Sequence, residues 1–114
     1  MKTVMVIIKS SPKEEPRVEE GLRVSAAMIG MDYPQKLVFL DQGVECLRPG
    51  VLDDSDIRDY LKATADLSGI YVLSDSMKER GLHIDDLDPT LSPTPVAVAE
   101  LAEMSRKSYL VIAL

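Results

Sequence analysis

The stretch VMVIIK, residues 4–9, decides the fold, because its apolar run is closed only by Lys9 and then broken by Ser10-Ser11-Pro12. Continuous apolar runs rich in β-branched residues are typical of strands that are buried on both faces of a parallel sheet. We therefore predict a first strand here, with a serine-containing loop at its carboxyl end. In open α/β sheets, that end is where ligands bind.

Three later stretches have the same character, and amphipathic segments separate them. They are KLVFLD (36–41), LSGIYVL (67–73) and SYLVIAL (108–114), the last interpreted as a final buried strand. Strands that alternate with helices in this way pair in parallel through right-handed crossovers, with helices on both faces of the sheet. The predicted fold class is therefore α/β, a three-layer sandwich with a mostly parallel sheet of four to five strands in one domain, residues 1–114.

The first helix is predicted to begin near Pro16, which suits a first helical turn, and to stop at Gly30. Its apolar stripe, at spacings of three and four residues, consists of Val18, Leu22, Ala26 and Ile29. Gly21 lies inside this helix at a cost of about 1 kcal/mol relative to alanine, which close packing against the sheet would explain.

Three further helices are expected. Asp54 or Ser55 caps the second, and a short third helix spans 75–80. The last helix is expected to be capped by Thr94 and opened by Pro95. The inward-facing side chains of the second helix are then Ile57, Leu61 and Ala65, and those of the last helix are Val98, Leu101 and Ala102.

Charge and composition exclude several classes of function. The chain has 114 residues, a net charge of −6 and a pI of about 4.7, and it shows no basic stripe with interleaved aromatic residues. An acidic surface of this kind repels phosphate backbones, so nucleic-acid binding is not expected. The apolar stretch of MKTVMVIIKS is broken by Lys9 and too short for a signal peptide, and no run is long enough for a membrane span. The expected compartment is the cytoplasm.

The acidic and histidine motifs predict neither a metal site nor a cofactor site. DLDPT (86–90) matches the D-x-D-x-T pattern of phosphatases with a nucleophilic aspartate, but it does not follow a predicted strand as that chemistry requires. Asp53, Asp54 and Asp56 lack the spacing of a calcium loop and are better explained by helix capping. His83 has no serine or cysteine obviously paired with it.

Cys46 is the single cysteine, so an internal disulfide is excluded. It follows the second strand, in a position where parallel sheets place functional groups. A reactive thiol needs a lowered pKa, which the nearby Arg48 favours and Glu45 opposes. Lone cysteines also serve as small buried hydrophobic residues, and the sequence leaves both interpretations open.

Four stretches together resemble the DsrE/DsrF-like family, whose members include small subunits of the TusBCD and DsrEFH sulfur-relay complexes. The first is the opening strand with its Ser/Pro loop and a helix carrying Arg17, Arg23, Ala26 and Ala27. The others are LVFLDQGVECL (37–47), YVLSDSMKERGL (71–82) and VAELAEMSRKSYLVIAL (98–114). The resemblance covers nearly the whole chain. It implies a small α/β sandwich that assembles as a homotrimer, homohexamer or heterohexamer.

The resemblance also implies where a sulfur-carrying cysteine would lie. Active members have it at the end of the third strand, eight residues before the glycine of Arg-Gly, which corresponds here to Leu73. A second cysteine of some members corresponds to Ser76. Neither residue is cysteine here, and neither side chain can form a persulfide. The serine hydroxyls at this strand end can instead cap the short helix or receive a polar ligand.

These observations support a cytoplasmic oligomeric subunit that assists sulfur relay or intracellular sulfur metabolism, without carrying persulfide at the usual position and without catalysis of its own. Its partners would be further copies of itself or cysteine-bearing paralogues, and a sulfur-donor protein. Two alternatives remain: sulfur carriage through Cys46, and a small-molecule binding module at the strand ends. The candidate ligand-binding residues are Ser10, Ser11, Asp41, Gly43, Ser74, Ser76 and Arg80.

Overall fold

A computed structural model describes residues 3–29 and 35–114. The predicted inward side chain of Ile29 and the predicted helix stop at Gly30 lie outside this description. The strands are β1 (Val4–Ile8), β2 (Gln35–Phe39), β3 (Ile70–Leu73), β4 (Thr94–Val96) and β5 (Leu110–Ala113). They form one sheet in the order β4-β3-β2-β1-β5, and every neighbouring pair is parallel. The predicted α/β class and the mostly parallel sheet are confirmed.

The helices are α1 (Glu15–Ile29), α2 (Ser55–Leu67), α3 (Ser74–Glu79) and α4 (Val98–Lys107). Short 3₁₀ segments lie at Pro12–Glu14, Asp41–Leu47, Ile84–Asp86 and Pro89–Leu91. The predicted cap of α2 is confirmed, because the Asp54 carboxylate accepts hydrogen bonds from the backbone N–H groups of Asp56 and Ile57 at 3.0 and 3.2 Å. A side-chain cap of this kind typically contributes about 1 kcal/mol.

The core lies between one face of the sheet and helices α1 and α2. Alternate residues of β1 belong to it, namely Val4, Val6 and Ile8, together with Val18 and Leu22 of α1 and Ile57 and Leu61 of α2. The predicted stripes of both helices are therefore confirmed for these residues, with Ala26 and Ala65 partly buried against the same cluster. Gly21 does have a close neighbour, since a Cβ added there would lie 2.1 Å from Leu114 Cδ1.

The chain reverses its direction across the sheet after β4. From β1 to β4 each strand adds on the same side of its predecessor, whereas β5 returns to the far side of β1. Because parallel crossovers are right-handed, this reversal puts α4 on the sheet face opposite to α1 and α2. None of the helices within residues 3–29 and 35–114 is long and apolar enough to cross a membrane.

The predicted start of the last helix is wrong. Thr94 and Pro95 belong to β4, which pairs with β3 through Tyr71↔Thr94 and Val72↔Pro95, and the helix begins only at Val98. Proline is tolerated at the edge of a sheet because one side of an edge strand needs no N–H donor. The predicted inward face of this helix is also wrong, because Val98 and Ala102 are exposed and Leu101 is only partly buried.

The prediction that 108–114 forms a buried strand is only partly right. The strand exists over Leu110–Ala113, but it pairs with β1 alone and lies at an edge of the sheet. Leu110 and Val111 are exposed. An apolar sequence predicts that a strand is buried. It does not distinguish burial within the same chain from burial against another subunit.

Candidate functional site

The carboxyl ends of β1, β2 and β3 open onto a cleft of about 660 Å³ that is lined mainly by polar and charged residues. The residues that follow these three strands line it, namely Ser11, Pro12, Lys13, Gln42, Glu45 and Arg80. This is the position at which open parallel sheets bind ligands. Of the seven predicted ligand-binding residues, Ser11 and Arg80 line the cleft, and the other five are not among its lining residues.

Gly43 holds the turn after β2 tightly against the end of β1. A Cβ at this position would lie 2.1 Å from the carbonyl oxygen of Ile8, which is backbone and cannot rotate away. The Leu40 N–H donates to the same Ile8 oxygen at 3.0 Å. Gly43 therefore sets the distance between two strand ends, and it is buried beneath the cleft surface.

Ser76 joins the ends of β2 and β3. Its hydroxyl oxygen accepts a hydrogen bond from the Asp41 N–H at 2.9 Å, and Asp41 itself has a left-handed backbone with φ of 50°. Ser76 is buried. The role of Ser76 visible here is to fix the loop that presents Gln42 to the cleft.

The serine hydroxyls at this strand end do not cap α3, so that option is ruled out. The N-cap residue of α3 is Leu73, which has no hydroxyl or carboxylate to offer, and no side chain makes a cap hydrogen bond there. Ser74 is the first helical residue and is partly exposed, and its hydroxyl makes no hydrogen bond within the described residues.

Ser10 and Ser11 have different roles although they are adjacent. The buried Ser10 hydroxyl donates to the Leu114 carbonyl oxygen at 3.0 Å, and the backbone N–H groups of Lys9 and Ser10 donate to the same oxygen at 3.0 and 3.2 Å. Ser10 thus ties the end of β1 to the residue after β5. Ser11 faces the cleft, and its oxygen accepts a hydrogen bond from the Lys13 N–H at 3.1 Å.

Cys46 lies behind the cleft and not in its wall. The residue is 2% exposed, and its Sγ–H points to the Ser10 carbonyl oxygen at 3.8 Å. Burial, reinforced by the negative charge of Glu45, raises the pKa of the Cys46 thiol to about 12. The group is therefore a neutral thiol at physiological pH, whereas the thiolate is the nucleophile in sulfur chemistry.

Arg80 is held in a fixed direction at the rim of the cleft. Its Nη1 donates to the Ser76 carbonyl oxygen at 3.1 Å and lies 3.5 Å from the exposed Glu79 carboxylate. The Glu45 carboxylate, also in the cleft wall, is paired with Arg48 Nε at 2.5 Å. The negative charge of Glu45 is therefore neutralised by Arg48, which is not one of the lining residues.

Sequence reasoning missed Pro12, Lys13, Gln42 and Glu45 as lining residues. All of them lie within a few residues of a predicted strand end, so position alone could have identified them. The sequence prediction favoured hydroxyl-bearing residues. Two of these, Ser10 and Ser76, instead make hydrogen bonds to the backbone of neighbouring segments.

The acidic motifs are structural. Asp88 accepts hydrogen bonds from Thr90 N and Thr90 Oγ1 at 2.9 and 2.7 Å, and Asp86 accepts one from the His83 N–H at 2.8 Å. These contacts explain DLDPT as a pair of capping carboxylates. Among the residues that the structure describes, no group of three or more His, Cys, Asp or Glu side chains could hold a metal ion.

The fold and this cleft define a class of small α/β proteins with an all-parallel sheet and a polar site at the ends of the first three strands. The sequence model of the DsrE/DsrF-like family matches residues 2–114, and the chain belongs to this family. It is 31% identical over 86 residues to a protein named "Protein TusC homolog" from Pseudomonas aeruginosa. That alignment covers 70% of this chain and 72% of the relative.

Two solved structures share the fold. The crystal structure of the ychN protein from E. coli aligns over 100% of both chains with a TM-score of 0.81 and 14% identity. The protein MTH1491 from Methanobacterium thermoautotrophicum, described as of unknown function, aligns over 99% of this chain and 98% of its own, with a TM-score of 0.73 and 18% identity.

Proposed function

We propose that this chain is a cytoplasmic subunit of an oligomer that supports sulfur relay or intracellular sulfur metabolism, and that it does not carry persulfide at the family's usual cysteine position. It would act beside cysteine-bearing paralogues or as a homotrimer or homohexamer, with a sulfur-donor protein upstream. Catalysis would reside in the partners. Family membership and the likeness to a TusC homolog support the relay role, since TusC belongs to the TusBCD assembly.

The observation that carries this proposal is the end of β3. By the family resemblance, Leu73 corresponds to the position of the sulfur-carrying cysteine and Ser76 to that of a second cysteine of some members, and neither residue is a cysteine in this chain. The Ser76 hydroxyl is already committed to the Asp41 N–H. The strand end thus keeps the family's framework and uses it to hold loops in place.

A group of exposed apolar side chains supports assembly. Tyr109, Leu110 and Val111 form what we call the β5 patch, and they are between 40% and 62% exposed. Large apolar side chains that cluster on one edge are typical of protein–protein contacts. The patch lies at the edge of the sheet, so a neighbouring subunit could cover it without disturbing the core.

Mass spectrometry of the full chain after incubation with a persulfide donor tests the missing carrier role. In persulfide transfer, a thiolate attacks the outer sulfur of the donor, a new S–S bond forms, and the donor leaves as a thiolate. We expect no adduct of about 32 Da, one sulfur atom, on the natural chain. We expect Leu73→Cys to gain one, because it restores the thiol at the family position.

Cys46→Ser is the matched control for this experiment. An adduct on the natural chain that disappears in Cys46→Ser would contradict the proposal and establish Cys46 as the carrier. The burial and the raised pKa of Cys46 argue against that result. Co-purification with cysteine-bearing paralogues tests the assembly part separately.

A second candidate function, small-molecule binding, is favoured by the cleft itself. Its volume of about 660 Å³ lies within the range of known small-molecule sites. Thermal-shift screening against nucleotides and thiol metabolites addresses it, because a ligand at 100 times its dissociation constant stabilises a protein by about 2.7 kcal/mol.

A further inference from the structure

The charges of the cleft wall are unbalanced in favour of positive charge, although the chain as a whole has a net charge of −6. Lys13 and Arg80 both line the cleft. The acidic lining residue Glu45 is neutralised by its ion pair with Arg48. A basic cleft in an acidic protein is a local exception, and clefts lined by one sign of charge concentrate ligands of the opposite sign.

The Arg80 guanidinium is oriented before any ligand arrives. The Ser76 carbonyl oxygen holds Nη1 at 3.1 Å, and the Nε and Nη2 groups make no hydrogen bond within the described residues. The contact with Glu79 is 3.5 Å long and its carboxylate is 70% exposed, so water largely screens it. Unused guanidinium donors in a fixed plane match the geometry of oxoanions.

Lys13, Ser11 and Gln42 add further hydrogen-bond donors to those of Arg80 in the cleft wall. The Lys13 ammonium makes no ion pair with any carboxylate whose side chain the structure describes. The Ser11 oxygen accepts from the Lys13 N–H, which leaves its own proton free to donate into the cleft. The Gln42 amide is exposed in the same wall.

From this arrangement we propose that the cleft binds a small molecule bearing an oxoanion group, such as a sulfate, sulfonate or phosphate, between Lys13 and Arg80. This rests on the second candidate function above and names its ligand class. Ser11 and Gln42 would donate to the remaining oxygens of the same group.

An NMR titration of the full-length, isotope-labelled chain with sodium sulfate tests the site, with sodium chloride at equal ionic strength as the control. We expect saturable shifts of the amides of Ser11, Gln42 and Arg80, and unchanged amides in α4. Shifts of equal size with chloride would overturn the proposal, because they would report only screening. A sodium phosphate titration compares two oxoanions, and tighter binding of either is consistent with the class.

Substitutions separate specific binding from a general charge effect. Arg80→Gln is expected to weaken sulfate binding about tenfold, which corresponds to about 1.4 kcal/mol, with Arg80→Lys intermediate. Arg106→Gln removes an exposed arginine of α4 that is paired with Glu103, and it should leave the affinity unchanged. Equal losses in Arg80→Gln and Arg106→Gln would overturn the proposal. If Arg80→Gln does not fold, Lys13→Gln serves the same test.

An acidic peptide distinguishes a small molecule from a polypeptide ligand. A glutamate-rich peptide that binds more tightly than sulfate, and is weakened by Arg80→Gln, would overturn the small-molecule assignment. The persulfide and co-purification experiments do not depend on Arg80 or Lys13. A negative result for oxoanion binding therefore does not affect the relay proposal. A negative result for the relay proposal likewise does not affect the proposed oxoanion site.

Discussion

Single residues near the cleft act through contacts with the main chain. The clearest case is Gly43, where the close approach of the Ile8 carbonyl leaves no room for a side chain. Ser76 is the second, because its hydroxyl satisfies the N–H of Asp41. Cys46 is the third, since its buried thiol fills space behind the loop. At this scale the residues that look chemically interesting in the sequence are mostly structural.

Gly43→Ala is expected to destabilise the fold by about 3 kcal/mol, because overpacking against rigid backbone forces the strand ends apart. Gly50→Ala is the matched control. No atom lies within 4 Å of a Cβ added at Gly50, and only its left-handed φ of 78° disfavours alanine, at a cost of about 1 kcal/mol. Urea denaturation of both variants checks this. A smaller loss for Gly43→Ala than for Gly50→Ala would show that the two strand ends are not packed as described.

Among the elements, α2 is connected to the 3₁₀ segment Pro89–Leu91 through Asp88. The carboxylate of Asp88 accepts from Arg58 Nη2 at 3.1 Å and from both donors of Thr90. Burial by itself would raise the pKa of Asp88, but the hydrogen bonds from Thr90 and the contact with Arg58 outweigh it and hold the pKa below its ordinary value of 3.8. The ionised carboxylate therefore stabilises the folded chain.

Asp88→Asn is expected to lower the free energy of unfolding by about 2 kcal/mol at pH 7, the range of a hydrogen-bonded charge. Because the folded pKa lies below the unfolded one, this stabilisation is present above about pH 4 and is lost as the pH falls through the folded value. The difference between the natural chain and Asp88→Asn should therefore shrink in acid.

Chemical denaturation at several pH values measures the difference. Asp59→Asn, an exposed carboxylate on the same helix, is the control and should have little effect at any pH. A deficit in Asp88→Asn that stays constant down to pH 3 would contradict the assignment of the charge.

The sequence predicts elements well where a long pattern repeats and poorly where it does not. The stripes of α1 and α2 and the runs of β1 to β3 extend over enough residues to define the period. In contrast, β4 has only three residues, and Thr94-Pro95 there has the same composition as a helix start. The structure places two of the predicted residues, Ser11 and Arg80, in the cleft wall. Hydrogen bonds such as that from Asp41 N–H to Ser76 depend on tertiary contacts that no local pattern encodes.

At the scale of the whole molecule, the β5 patch lies at one edge of the sheet and is exposed. The other edge of the sheet carries Pro95, which has no N–H to offer to a further strand. The β5 edge has no such protection and presents apolar side chains. This asymmetry indicates which side of the molecule a neighbouring subunit approaches under the proposed assembly.

Leu110→Lys is expected to shift the oligomer toward smaller species, because it puts a charge within the β5 patch. Leu67→Lys is the control, since Leu67 is 75% exposed, more than the 44% of Leu110, but lies on α2. Lysine is common on edge strands and is favourable at the C-terminal end of a helix, so neither variant should unfold the chain. Light scattering of both variants measures the result. Equal effects of the two substitutions, or none, would exclude the patch as the subunit contact.

The three hydrogen bonds onto the Leu114 carbonyl oxygen have a mechanical consequence. They link the exposed edge strand to Lys9 and Ser10, which lead directly into Ser11 at the mouth of the cleft. A neighbouring subunit that displaced β5 would pull this loop with it, and so would alter the shape of the cleft from outside. Docking and ligand entry would then be coupled through one carbonyl group, and a Ser11 amide shift that appears on assembly and is reduced in Ser10→Ala would reveal that coupling.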